Sequence, residues 1–361
     1  MAILTIENLV KHFPIAGSRA VVRAVNDVSF DLDQGETLAL VGESGSGKTT
    51  IGRCVLGLIK PTEGTIAFHG QAMGGARTVR AAEVRGKLQL VFQEPTESLN
   101  PRLRLFEIIG EPLRALGVNR ADSEARIRRA AARVGLAEAV LEQYPAEVSM
   151  GLQQRVGIAR AIISEPEIVV LDEPTSALDP TARAEIIDLL IEVQKALGTA
   201  YLFISHDLSA VRHISHRVAV LYLGMIVEQG PAAKLFAQPS HPYSVGLLSA
   251  VLLPNPKLRR ETRIRLEGEI PSPINLPPGC YLAGRCPLAQ ERCSASRPAA
   301  ALVEPGHEVH CFRHEEVAAQ EQTVDYFARF QDEAERILGA GVEDRPAAPE
   351  TPPKVASGSD S

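Results

Sequence analysis

The segment Gly42-Glu43-Ser44-Gly45-Ser46-Gly47-Lys48-Thr49-Thr50 restricts the fold of this 361-residue chain more than any other stretch. It satisfies G-x-x-x-x-G-K-[ST] and directly follows Glu36–Val41, a short apolar run that reads as a buried strand. Such a loop works at the junction of a strand and a helix. Its glycines keep side chains away so that backbone N–H groups converge on an anion, and the helix start adds the positive end of its dipole. Lys48 then neutralises β/γ-phosphate charge and the Thr49 hydroxyl ligates Mg²⁺. A dinucleotide fingerprint beginning at Gly45 fails, because Thr50 stands where its third glycine belongs. The pattern implies a nucleoside-triphosphate site on an α/β sheet.

The rest of the chain supplies such a sheet. Ile3–Leu9, Val25–Leu32 and Thr65–Phe68 read as strands, as do the apolar runs Glu167–Leu171 and Ala200–Ile204. Between about 94 and 160 the texture is helical. Leu105, Ile108, Ile109, Leu113 and Leu116 recur at helical spacing, and so do Ile127, Ala130, Ala131 and Val134. Asp122 or Ser123 is expected as the N-cap of the second group, with Gly135 just past its end. Ala182–Leu197 is a further helix. Strands alternating with helices predict a mostly parallel core.

The expected organisation is an ATPase-type domain over 1–254 with a helical insert at about 94–160. A loop-rich extension follows over 255–316, marked by Pro254, Pro256, Pro271, Pro273, Pro277 and Pro278. After it come a helix over 317–338 and a Pro/Ser-rich disordered tail over 339–361. Thirty-eight basic against 44 acidic residues give a net charge of −6, which offers nucleic acid no cationic field. No apolar run approaches the ~20 residues of a membrane helix, and no basic region precedes the N-terminal apolar stretch, so a cytosolic chain is expected.

Ile168-Val169-Val170-Leu171-Asp172-Glu173 is an apolar strand ending in two carboxylates, delivered to the rim where the phosphates would lie. Asp172 suits Mg²⁺, directly or through water, and Glu173 suits the base that orients attacking water. His206 follows the strand Tyr201–Ile204. It reads either as a structural histidine or as a contact to the γ-phosphate.

The order Gly42–Thr50, Gln93, Ser149–Gln154, Asp172-Glu173, Ser176-Ala177-Leu178-Asp179 and His206 resembles the ATPase subunit of ABC transporters over roughly the first 240 residues. The resemblance implies an α/β P-loop ATPase with a mostly parallel core sheet, an antiparallel β part and a helical subdomain. It implies that ATP and Mg²⁺ bind at Gly42–Thr50, that Gln93 touches Mg²⁺ and γ-phosphate, and that His206 is a switch histidine. Phe13 stands where an adenine-stacking aromatic is expected, although it could equally cover the sheet edge. Gln93-Glu94-Pro95, Ser98–Arg102, His241-Pro242-Tyr243 and the late cysteines narrow the resemblance to the oligopeptide/dipeptide/nickel importer subfamily. That implies transport-coupled ATP hydrolysis at the cytoplasmic face of the inner membrane. The implied partners are a second, different ATPase subunit, two permease subunits and, indirectly, a binding protein. The segment after Gln93 is expected to meet a permease helix.

One motif departs from the family pattern LSGGQ. Here it reads Val148-Ser149-Met150-Gly151-Leu152; Ser149 and Gly151 survive to face ATP on the partner subunit, while a glycine and the terminal glutamine are replaced. This puts that partner site in doubt. The alternative functions are a weakly active regulatory or redox-sensing subunit, or a non-transport ABC ATPase acting on ribosomes or DNA. The last usually has two cassettes or a long coiled coil, and this chain shows neither.

Cys280, Cys286, Cys293 and Cys311 are spaced x5, x6 and x17, with no C-x-x-C pair. The subfamily resemblance implies a [4Fe–4S] cluster on four thiolates. Zn²⁺ is the runner-up, held by the four thiolates or by three with His307 or His310, and four free thiols remain open. Their distance from Lys48 in sequence predicts an effect on structure before one on catalysis. Cys54 reads as a small buried hydrophobe.

Overall fold

The computed structural model describes residues 2–73, 84, 86–249, 264 and 266–319. Strand β1 (Ala2–Pro14) pairs antiparallel with β2 (Val21–Asp33), and both run beyond the expected apolar cores into a long hairpin with Phe13 opposite Val22. Strand β3 (Thr37–Val41) is buried at every position and leads through the glycine-rich loop into the helix Lys48–Val55. Strands β4 (Glu63–Phe68) and β5 (Gln71–Ala72) complete a four-stranded antiparallel sheet, ordered β2-β1-β4-β5.

The second sheet is mixed. Strands β6 (Leu88–Val91), β7 (Ile168–Asp172), β8 (Ala200–Ile204) and β9 (Arg217–Tyr222) join β3 in parallel. Strands β10 (Met225–Pro231), β11 (Ala301–Glu304) and β12 (His307–Val309) add an antiparallel edge, and the order is β11-β12-β10-β9-β3-β8-β7-β6. Alternate residues of one strand feed opposite cores. Leu38, Leu40, Val170, Leu202 and Leu221 pack toward the antiparallel sheet, whereas Ala39, Val41, Leu171, Phe203 and Val220 pack with the helices. Strands covered on both faces read as continuous apolar runs, which is why these were visible in the sequence.

Between β6 and β7 the chain builds the helical insert. The apolar series from Leu105 to Leu116 is two short helices, Leu105–Ile109 and Glu111–Ala115, divided at Gly110, against which Ile127 packs. The next helix, Arg120–Arg133, starts before the expected caps. Asn119 caps it by accepting the Asp122 N–H, so neither Asp122 nor Ser123 is the N-cap; the polar first turn hid the true start. Gly135 follows the end with φ +72°. The helix expected over Ala182–Leu197 begins at Pro180, where Asp179 accepts the Thr181 and Ala182 N–H groups.

The cysteine-bearing segment does not stand apart, because β11 and β12 extend the main sheet. The join is a buried polar knot. Glu228 on β10 is fully buried and accepts N–H bonds from Ser240 (2.7 Å) and His241 (3.0 Å), and His307 Nε2 lies 2.8 Å from it. Burial pushes His241 down to about 3, and its neutral ring accepts the Tyr243 N–H at Nδ1. Pro254, Pro256, most of the helix expected over 317–338 and the tail lie outside the described residues. The short helix His314–Ala318 ends just inside them.

Removing the Glu228 carboxylate orphans two backbone N–H groups and the His307 ring in a dry site. Glu228→Ala is expected to cost about 3–5 kcal/mol of stability, read by urea unfolding. A loss below about 1 kcal/mol would show that the knot does not hold the extension on the sheet.

Candidate nucleotide-binding and hydrolysis site

The glycine-rich loop is fixed by close backbone approach. A Cβ on Gly42 (φ +151°) would stand 2.2 Å from the Leu221 carbonyl oxygen, and one on Gly47 (φ +102°) 2.4 Å from the Ala24 carbonyl oxygen. The loop is tied further when Gly224 N–H donates to the Ser46 carbonyl at 3.0 Å. Ser44 and Gly45 are exposed at its crest, while Ser46 is buried and Gly47 and Thr50 are half-buried. Lys48 folds over the loop: Nζ donates to the Gly42 carbonyl (2.8 Å), the Glu43 carbonyl (3.0 Å) and Ser46 Oγ (3.2 Å). Burial lowers its pKa, opposed by the charges of Glu173, Asp172 and Glu43. These groups form an anion cradle with one cation at its floor.

Strand β7 brings its carboxylates to the same rim. Thr49 Oγ donates to Asp172 Oδ1 at 3.1 Å, so the two candidate Mg²⁺ ligands are already adjacent. Burial raises the Asp172 pKa, with the Thr49 hydrogen bond working against it. Glu173 adopts φ +47° and donates its N–H to the Ile204 carbonyl at the end of β8. Its Oε2 accepts from Gln93 Nε2 at 3.3 Å and lies 3.1 Å from His206 Nδ1. Gln93, Glu173 and His206 therefore meet on one carboxylate oxygen beside the Thr49–Asp172 pair. A carboxylate held between an amide and an imidazole, next to a cation site, is suited to orienting water against a phosphorus atom.

Other expected residues sit on separate elements. Ser149 caps the helix Met150–Ile162, accepting the Leu152 N–H at 3.4 Å, with Gly151 in its first turn and Met150 41% exposed. This helix start lies on the insert rather than on the phosphate loop. Phe13 is half-buried with Lys11 Nζ 4.9 Å above its ring. Its neighbour His12 reaches Asn26 Oδ1 at 3.1 Å, and Asn26 donates to the Leu223 carbonyl near the loop's anchor. Sequence reasoning missed the ties between elements. Thr96 donates to Gln153 and Arg160 to the Ser98 carbonyl, linking the segment after Gln93 to the Ser149 helix. Arg183 pairs with Asp207 at 2.7 Å, beside His206.

Cys280, Cys286, Cys293 and Cys311 line one cavity of about 20 Å³. The Cys293 sulfur accepts the Gln290 N–H at 3.5 Å and the Cys311 sulfur the Arg313 N–H at 3.3 Å. Burial pushes the thiols of Cys280 and Cys286 up, and that of Cys311 to about 12. Among the described residues, no group of three or more His, Cys, Asp or Glu side chains stands at metal-holding distance. Four cysteine side chains around one cavity are the donor set that a four-thiolate centre takes. His307 fits it poorly, being engaged by Glu228. Cys54 is 2% exposed within the core. The sequence distance from Lys48 is misleading, because Arg285, next to Cys286, lies against Glu43 of the phosphate loop.

Residues 25–176 match the family model of the ABC transporter, and residues 227–293 that of the oligopeptide/dipeptide transporter C-terminal region. The chain is 45% identical to a probable peptide ABC transporter ATP-binding protein of Sinorhizobium fredii, over 86% of this chain and 89% of that one. It is 44% identical to the oligopeptide transport ATP-binding protein OppF of Salmonella typhimurium, over 82% and 92%. Among solved structures, it is similar to the dimeric ATP-binding cassette MJ0796 in a post-hydrolysis state bound to ADP and Pi. That match has a TM-score of 0.56 and 26% identity, and covers 63% of this chain and 98% of that one. A second is cbiO1 from Clostridium perfringens, part of the ABC transporter complex cbiONQ, with TM-score 0.59 and 27% identity over 68% and 95%.

The loop geometry orders the cost of adding a methyl group. Gly42→Ala and Gly47→Ala collide with carbonyl oxygens and are expected to abolish measurable ATP binding. Gly45→Ala meets open space and carries only the ~1–2 kcal/mol of its left-handed backbone (φ +78°). ATP titration of the three variants checks the ranking, and equal losses would contradict it.

Proposed function

This chain belongs to the ABC transporter family, and we infer that it is the ATP-hydrolysing subunit that energises import of peptides across a membrane. The observation that carries the reading is the meeting of Gln93, Glu173 and His206 on one carboxylate oxygen beside the phosphate loop. Lys48 and the loop N–H groups bind the triphosphate, with Glu43 to Thr50 forming its cradle and Phe13 beside the base. Thr49, Asp172 and Gln93 would hold Mg²⁺, which offsets charge on the β- and γ-phosphates when bound. Glu173 takes a proton from the attacking water, Gln93 orients that carboxylate, and His206 contacts the γ-phosphate.

Peptides are the cargo class named for the relatives at 44–45% identity, and the C-terminal region bears the oligopeptide/dipeptide description. Among the described residues no helix is long and apolar enough to cross a membrane, so passage of the cargo falls to permease subunits. The chain then sits peripherally at the cytoplasmic face, and the exposed Phe92 and the segment 94–102 are the docking surface. ABC ATPase subunits work in pairs. Ser149 and Gly151 face ATP on the partner's phosphate loop, where Met150 and Leu152 weaken the contact. That supports a heterodimer with unequal sites, supplied with solute by a separate binding protein.

The four cysteines would hold a [4Fe–4S] cluster, which would cross-link the extension. Zn²⁺ is the alternative. Supporting this are the shared cavity and the backbone N–H bonds on the Cys293 and Cys311 sulfurs. Anaerobically purified protein is expected to contain iron and acid-labile sulfide with broad absorbance near ~400 nm. Zinc without iron, or neither metal, overturns the cluster.

Glu173→Gln removes the base but leaves Lys48 and the loop intact. It is expected to slow hydrolysis by roughly 10²-fold or more while ATP affinity stays near that of the unmodified chain. Single-turnover hydrolysis paired with ATP titration reads both quantities. Unchanged turnover would remove Glu173 from the mechanism.

A further inference from the structure

The phosphate loop is gripped from outside the ATPase core. Arg285, in the cysteine-bearing extension, places Nη1 3.1 Å from Glu43 Oε2 and Nη2 3.2 Å from Oε1, a two-pronged ion pair. The Arg285 side chain is 11% exposed, so water screens this pair less than a surface one. Its guanidinium also lies 5.8 Å from the centre of the Tyr222 ring and Nη1 3.4 Å from the Tyr222 hydroxyl. Tyr243, from the His241-Pro242-Tyr243 segment, packs on Tyr222 and is fully buried. Its hydroxyl accepts the Glu43 backbone N–H at 2.9 Å. Both the backbone and the side chain of Glu43 are thus held by residues that follow the nucleotide-binding motifs in the chain. The Glu43 carbonyl is one of the three partners of Lys48 Nζ, so its peptide sets where that ammonium rests. On the other flank, Arg23 N–H donates to the Pro273 carbonyl of the extension, one residue from the Ala24 carbonyl that abuts Gly47.

We propose that Arg285 and Tyr243 are positioning residues for the phosphate loop, and that through Arg285 the cysteine-bearing extension sets the affinity for ATP. Holding Glu43 prearranges the loop, so its ordering cost is met before the nucleotide arrives. The proposal rests on the loop being the ATP site. It assigns the extension a part in nucleotide binding rather than in hydrolysis, since neither residue touches Glu173 or Asp172 in the contacts above. A change that moves the cysteine cavity moves Arg285 with it, because Cys286 is the next residue.

The test is ATP titration and steady-state turnover of the full-length chain carrying Arg285→Ala, Glu43→Ala, both together, and Tyr243→Phe. Thermal melting reports whether each variant folds. Arg285→Ala and Glu43→Ala are each expected to weaken ATP binding and raise KM about tenfold with kcat nearly unchanged. The double variant should be no weaker than either single, as for partners in one interaction. Tyr243→Phe keeps the ring and loses only the acceptor, for about a threefold loss. A purely structural role would lower the melting temperature without this split and without coupling. Changes under twofold throughout, losses that multiply in the double variant, or a fall in kcat at constant KM would each overturn the proposal. Lys48→Ala separates the two readings. If it leaves ATP binding intact, the loop is not the ATP site and the proposal falls with it. If it abolishes binding while Arg285→Ala changes nothing, only the clamp is wrong.

Discussion

Two backbone contacts govern the site: Gly42 against Leu221 and Gly47 against Ala24. They lock the phosphate loop between the end of β9 and the β2 hairpin, so the anion cradle exists only if both sheets are correctly assembled. The parallel register sets the rest. Leu40 and Asp172 both pair with Ile204, and Val41 with Val220, which brings the carboxyl ends of β3, β7, β8 and β9 to one rim. Lys48, Asp172, Glu173 and His206 all issue from that rim, which is where open α/β sheets bind ligands. The glycines thus serve the protein's own carbonyl oxygens as much as the phosphate.

Around this fixed rim the polar contacts connect parts that must respond to one another. Gln93 joins β6 to Glu173, and Thr96 and Gln153 join the segment after Gln93 to the helix capped by Ser149. Arg183 and Asp207 join the helix after Asp179 to the strand end bearing His206. The segment after Gln93 is thus hydrogen-bonded, through Gln93 and Thr96, to both Glu173 and the helix that Ser149 caps. The extension adds a further link through Glu43, so the cassette is braced on both sides of its phosphate loop.

The parts of the site legible in the sequence are those whose chemistry is contiguous. Gly42–Thr50 carries its amides, lysine and hydroxyl in nine consecutive residues, and β7 ends in its two acids. Strands β3, β7 and β8 were visible because burial on both faces leaves only apolar residues. Helix starts were missed at Asn119 and Pro180, where a polar first turn carries no periodic signal. The Gly110 division was hidden because the two short helices keep the same apolar spacing. Arg285 and Glu43 stand 242 residues apart, and nothing local to either marks the other. Their contact exists because β12 docks on β10 and the Glu228 knot holds the following turn, a tertiary fact that no spacing encodes.

If this rim turns ATP hydrolysis into peptide movement, the coupling is read by release of labelled peptide from vesicles carrying the assembled transporter. With the ATPase subunits outward, MgATP and excess unlabelled peptide outside, and the binding protein with labelled peptide sealed inside, labelled peptide should leave the lumen against the peptide gradient. The movement should stop when ADP or a non-hydrolysable analogue replaces ATP. Peptide movement of the same extent without hydrolysable ATP, or ATP turnover that moves no peptide, would contradict the account.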